Sequence, residues 1–128
     1  MLQDASDIVE YILNRYPGAK KVVEVGIGMD DSVYRELKLQ GLTVVATDIE
    51  PIEHVVIDDI LTPKMAIYGG VGLIYSIRPN PELIEPLRKI AEEVGASLII
   101  RPLNTDASHK PTDMKLVNYK KAVLWTEP

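Results

Sequence analysis

The chain has no cysteine among its 128 residues, no phenylalanine and a single tryptophan. Without cysteine there is no disulfide, no thiolate nucleophile and no Cys-ligated zinc, and nothing requires an oxidising compartment. With six tyrosines and one tryptophan as its aromatics, the core has to be aliphatic. A long apolar run is also missing. The N-terminal stretch MLQDASDIVEYILNRY carries acids early and interrupts its apolar residues regularly, unlike a secretory signal or a membrane span. These absences predict a cytoplasmic protein with no membrane partner. Positive charge is scarce: 14 Lys and Arg stand against 19 Asp and Glu, a formal charge of -5. Broad nucleic-acid binding rests on Lys and Arg at phosphates, so the balance does not support it, although a local patch stays open. His54 and His109 lie far apart and match no metal-ligand spacing, which reads as two surface residues and no metal site.

What is present is the composition of a folded protein, 46% hydrophobic and 26% charged. The length suits one domain over residues 1–128. Ile8, Val9, Ile12, Leu13 and Tyr16 recur at helical spacing, which predicts a helix over 5–16 with Asp4 or Ser6 as N-cap and the Pro-Gly at 17–18 as its stop. KKVVEVG is then a buried strand ending at a glycine. From Asp30 or Asp31 as N-cap, Val33, Tyr34 and Leu37 mark a second helix that stops at Gly41. LTVVATD and EHVVIDD are the next strands, and Thr62-Pro63 caps a short turn leading to a fourth, GGVGLIYSI. Asn80 and Pro81 open a helix whose stripe is Leu83, Ile84, Leu87, Ile90, Ala91 and Val94, ended by Gly95. ASLIIR is a fifth strand and residues 102–113 a polar loop. The tail MKLVNYKKAVLWTEP is one long strand or a hairpin turning near Lys120 and Lys121.

Alternating strands and helices predict an α/β fold of three layers, a mostly parallel sheet of about six or seven strands with an antiparallel C-terminal edge. Ligands of such sheets bind outside the carboxyl ends of the strands, at the switch point beside the first. The glycine turn after that strand, VGIGMDD, would sit there. Gly26 and Gly28 fit the first two positions of a G-x-G-x-x-G fingerprint, but the third is Asp31. Asp30 and Asp31 weaken the field at the helix N-terminus and repel a diphosphate, and no lysine-bearing phosphate loop exists. A ligand that keeps adenosine but carries a cationic centre, S-adenosylmethionine, suits the turn better. Glu24 and the turn acids give negative potential for its ammonium and sulfonium. Asp48 follows Gly28 by twenty positions, where an acid accepts from ribose hydroxyls, and Asp58 and Asp59 end the third strand as acceptors for an adenine amino group.

VVEVGIG followed by VVATDIE resembles the first two motifs of class I S-adenosylmethionine-dependent methyltransferases, and VVIDDI resembles their third. GLIYSIRPNPEL resembles a family of small uncharacterised archaeal proteins with a methyltransferase-like sheet. The resemblance implies a reduced, Rossmann-like methyltransferase fold. It implies that Glu24, Gly26 and Gly28 lie at the methionine part of the cofactor, Asp48 at the ribose and Asp58 or Asp59 at adenine, with Asp30 and Ile49 also among the cofactor-binding residues. Where amine-directed members carry Asn or Asp, Pro-Pro and an aromatic after the fourth strand, this chain has Ser76, Ile77, Arg78, Pro79, Asn80 and Pro81. Ser76, Arg78 and Asn80 are therefore the candidate substrate-binding residues, and no catalytic residue stands out.

The expected activity is S-adenosylmethionine binding with methyl transfer to an acceptor the sequence does not name, in a monomer or homodimer. One alternative is a non-catalytic module binding a protein or RNA through an edge bearing Lys110, Lys115, Lys120 and Lys121 with Tyr119 and Trp125. Such lysines also protect an edge strand from pairing. Another alternative is an NAD-binding oxidoreductase-like domain, disfavoured by Asp31. Arg78 is a clamp for a carboxylate or phosphate, or it pairs with Glu82 or Glu85.

Overall fold

β-Branched and leucine-rich runs too short for helices form the centre of the molecule, because only a strand covered on both faces buries consecutive apolar side chains. In the computed structural model, which describes residues 2–103 and 109–128, these runs become β1 (Lys21–Val25), β2 (Thr43–Asp48), β4 (Leu73–Ile77) and β5 (Ser97–Arg101). With β3 (Val56–Ile57), β6 (Lys115–Tyr119) and β7 (Ala122–Thr126) they make one seven-stranded sheet in the order β3-β2-β1-β4-β5-β7-β6. The pairs from β3 to β5 are parallel, whereas β7 runs antiparallel to both β5 and β6. The chain builds outward from β1 to β3 and then returns to the other side of β1 with β4, so the switch point lies between β1 and β4.

Alternation along the strands divides the core in two. Val22, Leu73, Ile99 and Leu124 pack against α1 (Ala5–Arg15) and α2 (Ser32–Leu39), with Ile8, Ile12 and Leu37 fully enclosed. Val23, Ile74, Leu98 and Ile100 face the opposite way, against α3 (Ile84–Val94), Tyr68 and Trp125. Each such aliphatic side chain contributes roughly 1.5–3 kcal/mol of transfer free energy. No described helix is long and apolar enough to cross a membrane.

Two of the expected boundaries change, and the open alternative for the tail resolves. The third strand is only two residues long, because Glu53 and His54 form a turn in which His54 takes φ +65° and the Val55 N–H donates to the Ile52 carbonyl. His54 is exposed there, as read from the sequence. The helix after Asn80 begins as a 3-10 turn, Pro81–Leu83, and becomes α-helical only at Ile84. Pro86 explains this: it has no N–H for the Glu82 carbonyl and is tolerated only within a first turn. Asn80 precedes that turn without a side-chain capping bond, and the helix stops at Gly95 in the left-handed conformation, φ +72°. The tail is a hairpin turning at Lys120 and Lys121, with Lys120 at φ +53°. Of the loop expected over 102–113, residues 104–108 lie outside the described residues.

The C-terminal hairpin is fastened to both layers. Arg88 of α3 donates two hydrogen bonds to Glu127, at 3.0 and 2.8 Å, and two to Asp113, at 3.0 and 2.8 Å. On the other face Lys120 pairs with Glu10 of α1 at 2.7 Å.

Candidate functional site

The carboxyl ends of β1, β2 and β4 and the segment after β3 enclose a cavity of about 360 Å³, within the range of small-molecule sites. Gly26, Asp48, Ile49, Asp58, Asp59, Ser76, Arg78 and Asn80 all line it, brought from four separate strand ends to one place. Glu24, Gly28 and Asp30 are not on its wall. Gly28 instead lines a larger open groove of about 750 Å³ between α2 and residues 52–55, whose other lining includes Met29, Tyr34, Leu39, Ile52 and Val55. That groove holds none of the acids at the strand ends, so the smaller cavity is the candidate site.

Gly26 and Gly28 sit at φ +71° and +60°, the left-handed conformation that turns the chain sharply from β1 toward α2. The first three backbone amides of this turn are occupied inside the protein. Gly26 and Ile27 donate to the Thr47 carbonyl at 2.9 and 3.0 Å, and Gly28 donates to Asp48 Oδ2 at 2.8 Å. Phosphate-binding turns need such amides free to point at the anion. These three amides are not free for a diphosphate, which adds to the case that the aspartates make against NAD. Asp31 is the N-cap of α2 without a side-chain capping bond, and Asp30 just before it accepts at Oδ1 from the Ser32 N–H at 3.0 Å and hydroxyl at 2.6 Å. Asp31 pairs with Arg35 at 2.9 Å.

Asp48 is buried at the end of β2, with Oδ2 accepting from Gly28 and Oδ1 from the Glu50 N–H at 3.0 Å. Asp58 is buried beyond β3; its Oδ1 accepts from the Lys64 N–H at 2.9 Å, while its Oδ2 has no partner among the described residues. The nearby Tyr68 hydroxyl is likewise buried without a partner among them, and burial together with the Asp58 charge pushes its pKa up. Asp59 is exposed and its Oδ1 accepts from the Leu61 N–H at 2.9 Å.

Glu24 takes a different part from the one its charge suggested. It is 1% exposed on the α1/α2 side of β1, and Tyr75, its direct neighbour in the β1/β4 register, donates to Oε1 at 2.6 Å. Its Oε2 has no partner among the described residues. Burial pushes the Glu24 pKa up to about 8, only partly opposed by the Tyr75 hydroxyl. At neutral pH this acid is predominantly protonated, and it supplies little negative potential to the crevice. Tyr75 escaped the sequence reading because it looks like any aromatic in a strand; only the register places it against Glu24.

Ser76 lines the cavity, and its hydroxyl donates to the Val25 carbonyl at 2.8 Å and ties β4 to β1. Ser76→Ala is expected to cost about 1 kcal/mol in urea denaturation. Arg78 reaches neither Glu82 nor Glu85; among the described residues its nearest acid is Asp30, at 4.0 Å. The basic, aromatic edge forms in part: Lys115, Lys120 and Lys121 are exposed on the β6–β7 hairpin at the edge of the sheet. Trp125 is 3% exposed, Tyr119 packs against Tyr11, Lys120 is paired with Glu10, and Lys110 donates to the Pro111 and Met114 carbonyls.

The profile of the Uncharacterised protein family (UPF0146) matches residues 5–127. The chain belongs to the UPF0146 family. It is 39% identical over 125 residues to the UPF0146 protein of Methanothermobacter thermautotrophicus, covering 94% of this chain and 92% of that one. It is 36% identical over 129 residues to the relative from Methanocaldococcus jannaschii, covering 92% of each. Among solved structures, the chain is similar to the CcbJ methyltransferase from Streptomyces caelestis, with TM-score 0.62 and 15% identity over 98% of this chain. It is also similar to DesVI of Streptomyces venezuelae, with TM-score 0.60 and 14% identity. The N-terminal domain of EvdMO1, solved with SAH bound, gives TM-score 0.56 and 15% identity. The chain spans 58% of the DesVI chain and 61% of the CcbJ chain. The UPF0146 protein thus has the Rossmann-like fold of class I methyltransferases, with the antiparallel C-terminal edge read from its sequence.

Proposed function

We propose that this UPF0146 protein is a single-domain S-adenosylmethionine-binding protein that transfers the methyl group to an acceptor. The observation that carries the reading is Asp48. It stands at the carboxyl end of β2 on the wall of the cavity, and it ties the glycine turn to the neighbouring strand through Gly28. Each carboxylate oxygen accepts one backbone amide and keeps a further acceptor site for a ribose hydroxyl. The residues present fit the cofactor. Asp58 Oδ2 is an unfilled buried acceptor beside Asp59, suited to an exocyclic amine, and Ile49 and Leu61 give apolar wall for a purine. The occupied amides of Gly26, Ile27 and Gly28 argue against phosphates, and the SAH held by the EvdMO1 domain supports the same ligand class.

The bound cofactor supplies an electrophilic methyl group on a sulfonium. What the protein must then do is align an acceptor with that methyl, which needs proximity more than an acid or base. Arg78, Pro79 and Asn80 form the β4 side of the cavity, and Asp48, Asp58 and Asp59 the opposite side. Calorimetry with S-adenosylmethionine, S-adenosylhomocysteine, NAD and ATP on one preparation tests the proposal. Binding of the first two and not of the others is expected. No heat from either sulfur ligand at millimolar concentration would overturn it, as would tighter binding of NAD.

A further inference from the structure

Arg78 is the one cation among the described residues that line the cavity. The ladder between β4 and β5 runs one residue past β4, with the Arg78 N–H donating to the Arg101 carbonyl at 2.7 Å, and Arg78 itself takes φ +54°. Such a conformation is uncommon for a residue with a side chain and persists where the surroundings impose it. The base of the side chain is thus fixed, whereas its head is not spent on the fold. Arg88 donates to Glu127 and Asp113, and Arg101 donates to Asp4 and the Pro102 carbonyl. Arg78 is half-exposed, and its nearest acid among the described residues, Asp30, stands 4.0 Å from Nη2, beyond hydrogen-bonding distance. Two residues on, Asn80 also lines the cavity and precedes the 3-10 turn without a side-chain capping bond, so capping does not occupy its amide.

A guanidinium held in place with open donors suits an oxyanion, and the rest of the wall narrows which one. Asp48, Asp58 and Asp59 line the same cavity. With three acids on that wall, one guanidinium balances a single negative charge. A phosphate monoester brings up to about two, and a nucleic acid brings a row of them. We propose that Arg78, assisted by the Asn80 amide, anchors a carboxylate of the methyl acceptor, and that the acceptor is a small carboxylic acid. The proposal rests on the cofactor reading above and adds the class of the second substrate. The two ligands use different walls: the three aspartates come from the ends of β2 and β3, on the other side of β1 from β4 and Arg78.

The test titrates benzoate, benzamide and phenyl phosphate into the chain loaded with S-adenosylhomocysteine. NMR follows the side-chain Nε–H signal of Arg78, assigned by its loss in Arg78→Lys, and the Arg35 signal reports non-specific binding. The variants Arg78→Gln and Arg78→Lys are followed through backbone amides, and thermal melts confirm that they are folded. Benzoate is expected to bind about ten- to a hundredfold more tightly than benzamide, the worth of charge-assisted hydrogen bonds, and more tightly than phenyl phosphate. Arg78→Gln loses the preference over benzamide, and Arg78→Lys keeps part of it, having the charge without the planar fork. Equal binding of benzoate and benzamide, or a preference that survives in Arg78→Gln, overturns the anchor. Tighter binding of phenyl phosphate overturns the carboxylate class. Benzoate that reaches Arg78 only in the ligand-free chain gives this arginine to the cofactor and overturns the acceptor assignment. S-adenosylhomocysteine that does not bind overturns the cofactor reading and the acceptor's place with it, whereas bound S-adenosylhomocysteine beside an Arg78 that ignores benzoate overturns the anchor alone.

Discussion

Glu24→Gln is expected to raise stability by roughly 3 to 5 kcal/mol at pH 8 while changing it little at pH 5. In the unfolded chain this carboxyl ionises near its ordinary value of 4.5, and in the fold burial raises that to about 8. Between these values the unfolded state has released its proton and the native state has not. Stability from this group is therefore complete below about pH 4.5, falls by about 1.4 kcal/mol per pH unit as pH rises, and levels off above about 8. Glutamine keeps the shape and the acceptor for Tyr75 but cannot ionise, so it removes the fall. Urea denaturation of both proteins at pH 5 and pH 8 measures the difference. Parallel pH profiles for wild type and variant would show that Glu24 is ionised in the fold.

The second large effect is expected at Asp48. Asp48→Ala leaves the Gly28 and Glu50 amides without their acceptor, at a cost of about 2 to 3 kcal/mol for the two together. It also removes the proposed ribose acceptor, and S-adenosylhomocysteine affinity should fall by about a hundredfold or more. Asp48→Asn separates the two roles: an amide keeps one acceptor oxygen but turns an NH2 toward the other backbone donor. It should lose much of the binding while remaining folded at the assay temperature. Calorimetry beside a thermal melt reads both quantities, and unchanged affinity in folded Asp48→Ala would exclude this residue from the cofactor site.

Much of this was legible from residue order. Strands that alternate with helices, bounded by Gly26, Gly41 and Gly95, pointed to the parallel sheet and its switch point, because periodicity and turn chemistry are local. The strand-end acids Asp48, Asp58 and Asp59 were legible for the same reason: the chain ends a strand where the ligand crevice of such a sheet lies. The short third strand was not, since a turn at His54 needs a positive φ that no residue type announced. Nor was the 3-10 start before α3, although Pro86 carried the signal.

Charge was read least well. Glu24, Asp30 and Asp31 looked alike as three acids around one turn, yet one is buried and protonated, one accepts from Ser32 and one is the helix N-cap that pairs with Arg35. Ser76 looked available and is bonded to Val25; Arg78 looked ready for Glu82 or Glu85 and points to Asp30. By itself the sequence determined the sheet, its edge and the positions at which strand ends present acids, because these follow from local pattern and from the fixed geometry of α/β connections. Only the tertiary structure decided which acids carry charge and which donors are free. Protonation and hydrogen-bond occupancy depend on burial and on partners distant in sequence, such as Tyr75 opposite Glu24 and Asp48 opposite Gly28.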